Sequence, residues 1–518
     1  MASDTRPRSL SSAATRNALA TVAYRSSSLL VGLMLTPFVL HRIGAELYGI
    51  VVAASSAYEH LSLLRGGIGS ALRRFVTVHH HGGRSDEADR FYAAGFWWSA
   101  LFRTAILIMA LALAAPLAHF LHAPAPHLAD SIAGIALVFV AAVLSDTSAV
   151  LEVPVYATGR VAFLSIFWAS LQWLRLGFTV LGFYLLMPRL AVFGGAAVAT
   201  EITSLVVLVL FAERARVVRS AIPRPALGTP AIRRELFSYG GLAILFQASI
   251  VLYLSTDQIL IGRFFGPGAV AHYSMGTRWY PVIFGFIVAA ISSLTPLFTS
   301  MDARGESERS RDAVRRVVAV ACVIAVPTCL APCVVGDRFL AAWVGNEYRD
   351  SSRYLIAMLA PLVLEAAAAP LWMALQARGR IGLVTGIQVP VAVGNVALSL
   401  VLGLGLHMGP LGFALGNTAA LIVKNVILLA WLVRWPDPGV PGPAAVARPL
   451  ALALLGGLPG LAALFLARPL YLHGLPFVMI AGAIGGALAL AGSGVATLGP
   501  TGVRSLIGMA RRAVGASS

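Results

Sequence analysis

The sequence predicts an all-α integral membrane protein of about fourteen transmembrane helices, arranged as two six-helix bundles followed by two further C-terminal helices. Three observations predict it. Of 518 residues, 58% are hydrophobic and only 12% charged, against roughly 25% charged in an ordinary soluble domain, and the mean hydropathy is +0.82. Apolar runs close to the ~20 residues that a helix needs to cross a bilayer occupy almost the whole chain. The cations between those runs alternate from face to face. A formal charge of +17 would by itself suggest nucleic acid, but such a partner requires basic residues on a wetted surface. This chain has little wetted surface, so no nucleic acid is expected.

In order, the runs fall at 17–40, 48–72, 91–115, 129–152, 162–187, 191–212, 236–262, 270–300, 317–335, 354–375, 382–404, 409–433, 449–467 and 475–497. This divides the chain into a tail (1–16), a first bundle (17–212), a linker (213–235), a second bundle (236–433), a second linker (434–448), two extra helices (449–497) and a tail (498–518). Arg6, Arg8 and Arg16 precede the first run, which is too long for a signal-peptide core and reads as a retained helix. The longest polar stretch, 213–235, is too short to fold as a domain. Any activity must therefore be built from helices inside the membrane.

Lys and Arg accumulate on the cytoplasmic side of membrane proteins. Of the 39 here, 26 fall on the face of the N-terminus, among them Arg73, Arg74, Arg84 and Arg90 after the second run, and seven on the other. Both termini are thus expected in the cytoplasm. The remaining six, Arg25, Arg65, Arg103, Arg175, Arg278 and Lys424, lie within runs. Lys424 is the only lysine and is flanked by Val423 and Asn425, so the chain lacks the G-x-x-x-x-G-K-[ST] of a P-loop. No nucleotide, cofactor or metal is expected. The run His79, His80, His81 points its side chains apart and lacks ligands at metal spacing, while Cys322, Cys329 and Cys333 share one helix face as small apolar residues.

The chain also repeats itself, as many transporter folds do. The loop HRIGAELYG carries Gly44 and the turn HGGRSDEADR carries Gly83; GRFFGPGAVAHY carries Gly266 and DARGESERSRD carries Gly305. Gly44 and Gly266 are 222 residues apart, and so are Gly83 and Gly305. Both halves therefore contain a helix, an outer glycine turn, a second helix and an inner turn rich in Gly, acid and Arg.

The stretches TPFVLHRIGAELYGI and LRGGIGSALRRF, then STDQILIGRFFGPGAVAHYSMGTRWY, GDRFLAAWVGNEY and QARGRIGLVTGIQV, carry a family resemblance through their order and spacing over roughly 17–433. The chain resembles the polysaccharide and lipid-linked oligosaccharide flippases of the multidrug/oligosaccharidyl-lipid/polysaccharide exporter superfamily. That resemblance implies two helix bundles around a central cavity that opens alternately inward and outward in a bacterial cytoplasmic membrane. It implies a polyprenyl-diphosphate-linked glycan, such as an O-antigen or exopolysaccharide unit, as cargo, with membrane lipids, glycosyltransferases and a glycan polymerase as partners. The two extra helices are similar to those of the flippases of the peptidoglycan precursor, where they form a groove for the lipid tail; otherwise they pack against the second half.

Charges inside spans are costly and usually face a cavity or a partner. Arg25, Arg103, Arg175, Arg278 and Lys424 are the substrate-site candidates, because guanidinium groups form paired hydrogen bonds with phosphate. Arg65, near a span end, can snorkel and ranks below them. The alternative is neutralisation by Glu59, Asp146, Glu201, Asp257 or Glu365. Asp257, Glu365 and Glu201 are candidates for ion coupling, although Asp257 can equally pair with Arg278 across the outer turn. Pro37, Pro281, Pro296, Pro327, Pro361, Pro370 and Pro390 break helical hydrogen bonds, Pro281 and Pro390 being the better hinge positions. Trp97, Trp98, Trp173, Trp279 and Trp372 serve as packing or interfacial anchors, or stack on sugars.

Three function classes follow. A lipid-linked glycan flippase needs deep cations and no nucleotide site, as here. A small-molecule cation antiporter would favour an acidic, aromatic cavity. A membrane glycosyltransferase or polymerase would carry catalytic groups on a large outer loop, whereas the longest outer loops here, 116–128 and 336–353, are short. The sequence is read as a transporter and not as an enzyme.

Overall fold

The computed structural model describes residues 7–65, 67–238, 241–292, 301, 304–468 and 475–515, and all regular structure among them is helical. Twelve of those helices are long and apolar enough to cross a membrane. The sequence-based count of about fourteen is reconciled by two spans. Ala20–Arg65, with 46 residues, covers most of the first two runs, joined across a bend at Gly44. The eighth run falls on two shorter helices, Pro267–Thr277 and Trp279–Ser292, and on 293–300, outside the described residues. Pro296 lies there too.

The chain separates into two compact units, 1–271 with 515–518 and 272–514. The first contains α1 (Pro7–Ser62), α2 (Ile68–His81), α3 (Ser85–Phe120), α4 (Leu128–Ala157), α5 (Val161–Leu186), α6 (Leu190–Ala215), α7 (Pro230–Ser238), α8 (Gly241–Leu254) and α9 (Thr256–Phe265). Gly44 bends α1 because its φ of 84° and ψ of 166° suit a residue without Cβ. Gly266 takes nearly the same conformation, φ 84° and ψ 163°, and Gly83 and Gly305 agree at 72° and 69°. The 222-residue repeat is therefore written in the backbone as well as in the letters. A further pair obeys it: Met187, φ 84°, precedes Pro188, and Gly409, φ 61°, precedes Pro410.

Past the bend, the second arm of α1 packs on α9. Ser56 hydrogen-bonds Gln258, Ser255 donates to Glu59, and His60 Nε2 lies 3.0 Å from Thr256 Oγ1. Nearer the bend, Gly49 approaches Pro267 so closely that a Cβ would sit 1.8 Å from its carbonyl oxygen. Elsewhere α4 and α6 meet through Gly134 against Leu190 and Gly194 against Leu137, the small-residue contact that lets membrane helices approach. Asp130 accepts the amides of Leu190 (2.9 Å) and Ala191 (3.1 Å), satisfying donors that a helix start leaves open.

The stretch after α6 is tied down. Tyr92, Trp97 and Trp98 of α3 donate to the carbonyls of Ala221 (2.8 Å), Pro223 (3.0 Å) and Leu227 (3.2 Å), and Asp89 accepts the Arg219 amide. This strap leads into α7, whose Ile232 and Leu236 pack on Ala71, Phe91 and Ala94 of α2 and α3.

The second unit starts within α10 (Pro267–Thr277) and continues through α11 (Trp279–Ser292), α12 (Ser307–Val344), α13 (Ser352–Ala377), α14 (Ile381–Leu400), α15 (Pro410–Arg434), α16 (Ala444–Leu466) and α17 (Leu475–Gly515). A buried ladder runs from Asn395 to Asn417 (2.7 Å) and on to Tyr273 (3.2 Å). The extra helices pack on α12, where Leu464 and Val478 meet Ala331 and Val335, and Arg468 pairs with Asp337 at 2.7 Å. Between α16 and α17 the backbones nearly touch at Gly456 and Gly492.

Overpacking a close backbone contact costs about 1–3 kcal/mol. Gly49→Ala is thus expected to lower the thermal midpoint of the detergent-solubilised protein. Gly32→Ala, where a Cβ meets nothing within 4 Å, should leave it unchanged.

Candidate functional site

Five helices of the first unit enclose a cavity of about 820 Å³ lined by Arg65, Arg73, Arg74, Arg103 and Asp146, among others. Local sequence explains how the arginines converge. Ile68, Ala71, Leu72 and Val76 of α2 are buried, a spacing that turns one face of the helix inward. That leaves Arg73, Arg74 and Thr77 on the cavity side. A tight turn over Leu63–Arg65 swings Arg65 into the same space, α3 supplies Arg103, α4 supplies Asp146 and α8 closes the wall with Ile244, Phe246 and Gln247.

The four arginines are not equivalent. Arg65 forms an ion pair with Asp146, whose other oxygen accepts the Tyr58 hydroxyl at 2.7 Å. Arg73 pairs with Glu152 at 2.7 Å and lies 5.1 Å from the centre of the Tyr156 ring. Glu152 also accepts Trp168 Nε1 and is itself buried. Arg74 stacks on Phe75. Arg103 is 5% exposed, and its polar contact among the described residues is one long bond, 3.5 Å, to the Asp146 carbonyl. A buried guanidinium facing a cavity with no carboxylate beside it favours an anion there.

A second cavity, about 340 Å³, shares Ser62, Arg65 and Asp146 with the first and continues to Tyr58, Glu59, Arg175 and Glu201. Arg175 lies 5.5 Å from the Phe193 ring centre and feels the Glu201 charge. Among the described residues, the Nε of Arg175 and one Glu201 oxygen are buried without hydrogen-bond partners. The Arg65–Asp146 pair thus stands where the two cavities meet.

The other expected site residues are not among those that line these two cavities. Arg25 is half-buried on α1, outside the lining of both cavities. Asp257 is buried in the first turn of α9, where a helix N-terminus favours a carboxylate. Arg278 belongs to the second unit, 5.5 Å from the Trp343 ring centre. Lys424 and Glu365 neutralise each other at 2.8 Å, and Asn425 ties the other Glu365 oxygen at 2.6 Å while accepting Trp372 Nε1. His79 Nδ1 lies 2.9 Å from Glu87, and its ring stacks on Phe91. Trp173 donates to Ser27, and Trp279 packs on Phe339 and Trp343.

The sequence pattern assigns Arg73 and Arg74 to the connection after the second run and ranks Arg65 below the other span cations. The signal that would have found the first two is the 3.6-residue apolar period of 68–76. Nothing in the letters revealed that Asp146 faces Arg65, since 81 residues separate them.

Together these features define a multi-pass helical membrane protein with an arginine-lined cavity in its first unit. The chain belongs to the polysaccharide biosynthesis protein family, whose family model matches residues 43–353. A relative in Bacillus subtilis (strain 168), the uncharacterized membrane protein EpsK, is 23% identical over 409 residues, covering 77% of this chain and 79% of EpsK. The fold is similar to that of the lipid II flippase MurJ in an inward closed conformation, with a TM-score of 0.68 and 13% identity over 95% of this chain and 99% of MurJ. It is similar also to an inward-facing multidrug resistance MATE family transporter, with a TM-score of 0.65 and 16% identity over 81% of this chain and 100% of that one. A third similar structure is a MOP superfamily transporter from Pyrococcus furiosus described by the reverse polarity of its binding pocket, with a TM-score of 0.61 and 14% identity over 83% of this chain and 100% of that one.

Removing one partner of a buried ion pair strands the other charge, at a cost of about 3–5 kcal/mol. Lys424→Met is expected to lower thermal stability sharply, and Lys424→Met with Glu365→Gln to recover most of it. Recovery of both stability and transport would mark the pair as structural; a stable but inactive double variant would give it a part in transport.

Proposed function

We propose that the protein is a flippase that carries a polyprenyl-diphosphate-linked glycan from the cytoplasmic to the outer leaflet by alternating access. The observation that carries this reading is the excess of cations in the first cavity, four arginines against one carboxylate, with Arg103 lacking a carboxylate of its own. Such a lining repels organic cations and suits a diphosphate, which guanidinium forks bind in paired hydrogen bonds. Membership of the polysaccharide biosynthesis protein family supports a glycan as the remainder of the cargo.

In this reading the diphosphate enters beside Arg73 and Arg74, settles against Arg103 and Arg65 and moves on toward Arg175, while the polyprenyl tail stays in lipid. An inside-negative potential assists the movement of an anion outward by about 2.3 kcal/mol per charge per 100 mV. Glu201, beside Arg175 in the second cavity, is the carboxylate best placed to couple an ion to that step. Glycosyltransferases inside and a glycan polymerase outside supply and consume the cargo. The bias of 26 among 39 cations toward one face supports a reading with both termini and the strap in the cytoplasm and the chain in a bacterial inner membrane.

Two measurements test this. Arg103→Gln is expected to abolish most flipping in proteoliposomes and to make cells accumulate lipid-linked glycan on the inside; unchanged flipping would remove the cavity from the pathway. A membrane-impermeant maleimide should label Thr229→Cys, on the exposed strap, in inside-out vesicles alone. Labelling of intact cells would reverse the topology.

A further inference from the structure

We infer that Asp146 is a built-in competitor of the substrate, holding Arg65 until a diphosphate drawn to Arg103 takes its place, and reclaiming Arg65 when the head moves on. The inference rests on the flippase reading above and adds a positioning residue to it.

The geometry separates a fixed partner from a movable one. Asp146 is held on two sides, by Arg65 and by the Tyr58 hydroxyl at 2.7 Å, and its side chain is 14% exposed. The Arg65 side chain is 44% exposed and belongs to the short Leu63–Arg65 turn rather than to a long helix. Release of the pair therefore moves Arg65 and leaves Asp146 in place with Tyr58.

Position gives the exchange its purpose. Arg65 and Asp146 line both cavities, so an anion passing from one to the other meets them. Arg103 touches Asp146 through the backbone carbonyl and not the carboxylate, so its charge is open to the anion on arrival. A diphosphate there carries more charge than one carboxylate and fits two guanidinium forks at once. The Arg73–Glu152 pair makes a useful contrast. Glu152 is outside the cavity lining and is fixed by Trp168 as well as Arg73, so the cargo does not meet it. One arginine is thus permanently anchored and the other is lent.

A site of bare arginines would bind a diphosphate and keep it. With Asp146 returning to Arg65, binding is weakened and release hastened, which is what a carrier needs. The full-length protein, purified in detergent, would be titrated with farnesyl diphosphate by calorimetry, and in proteoliposomes the flipping of a fluorescent farnesyl diphosphate would be followed by dithionite quenching. Asp146→Asn should tighten binding about tenfold, by loss of a coupling of ordinary size, and slow flipping at saturation by a similar factor. Asp146→Glu, which keeps the carboxylate, should restore both. The tightening should disappear in the Arg65→Gln background, because the competition acts through Arg65. Equal tightening with and without Arg65 would show a general field effect and overturn the inference. So would slower flipping with unchanged affinity, or a variant that loses its thermal transition and is rescued in stability but not in affinity by Asp146→Glu. Failure of the flippase reading is seen separately, as farnesyl diphosphate binding to the unaltered protein that Arg103→Gln does not weaken.

Discussion

The organisation of the first unit depends on one constraint: a charge in the hydrocarbon region must be matched by an opposite charge or serve a ligand. Arg65 is matched by Asp146 and Arg73 by Glu152. In the second unit Lys424 is matched by Glu365. Arg103 has no such carboxylate among the described residues, although it is among the more deeply buried arginines described. Around it the cavity is arranged so that the neighbouring cations are already neutralised to different degrees, which concentrates the demand for an anion at a single point.

Holding that arrangement requires control of short elements that have little stability of their own. The helix α2 has 14 residues, near the length at which an isolated helix is marginal, yet it supplies two of the four cavity arginines. It is held by a cluster shared with α3 and α7, in which Ala71 meets Phe91, Ala94, Ile232 and Leu236. The strap that delivers α7 is in turn fixed by donors from Tyr92, Trp97 and Trp98. A polar connection that looks like a linker is thus the outer brace of the site.

This explains which parts of the protein could be read from the letters. Spans are legible because hydrocarbon imposes a length on them, and the bends at Gly44 and Gly266 because positive φ selects glycine at both places. Arg103 was legible as a cation in mid-span. The contribution of Arg65, Arg73 and Arg74 was obscured because a hydropathy window averages over a short amphipathic helix and assigns it to a turn. Likewise Lys424 looked like a cavity cation until Glu365, 59 residues away, was found beside it. Partners at that distance in sequence are set by helix packing, which local pattern does not report.

The repeat itself supplies the last step. At the offset of 222 residues the glycine turns coincide, but the charges do not: Arg65, Arg103 and Asp146 correspond to Ile287, Ala325 and Ala368, all three buried. In the other direction Glu365 and Lys424 correspond to Val143 and Ile202. Duplication therefore preserved the scaffold while the two halves diverged in what they hold. The first half kept or gained an open cationic cavity, and the second a closed pair tied by Asn425 and Trp372. The two halves thus share their turns and differ in the charges that the helices between those turns carry. Ala325 and Ala368 fill with tight helix packing the positions where their counterparts line a cavity, so the asymmetry is one of shape as well as charge.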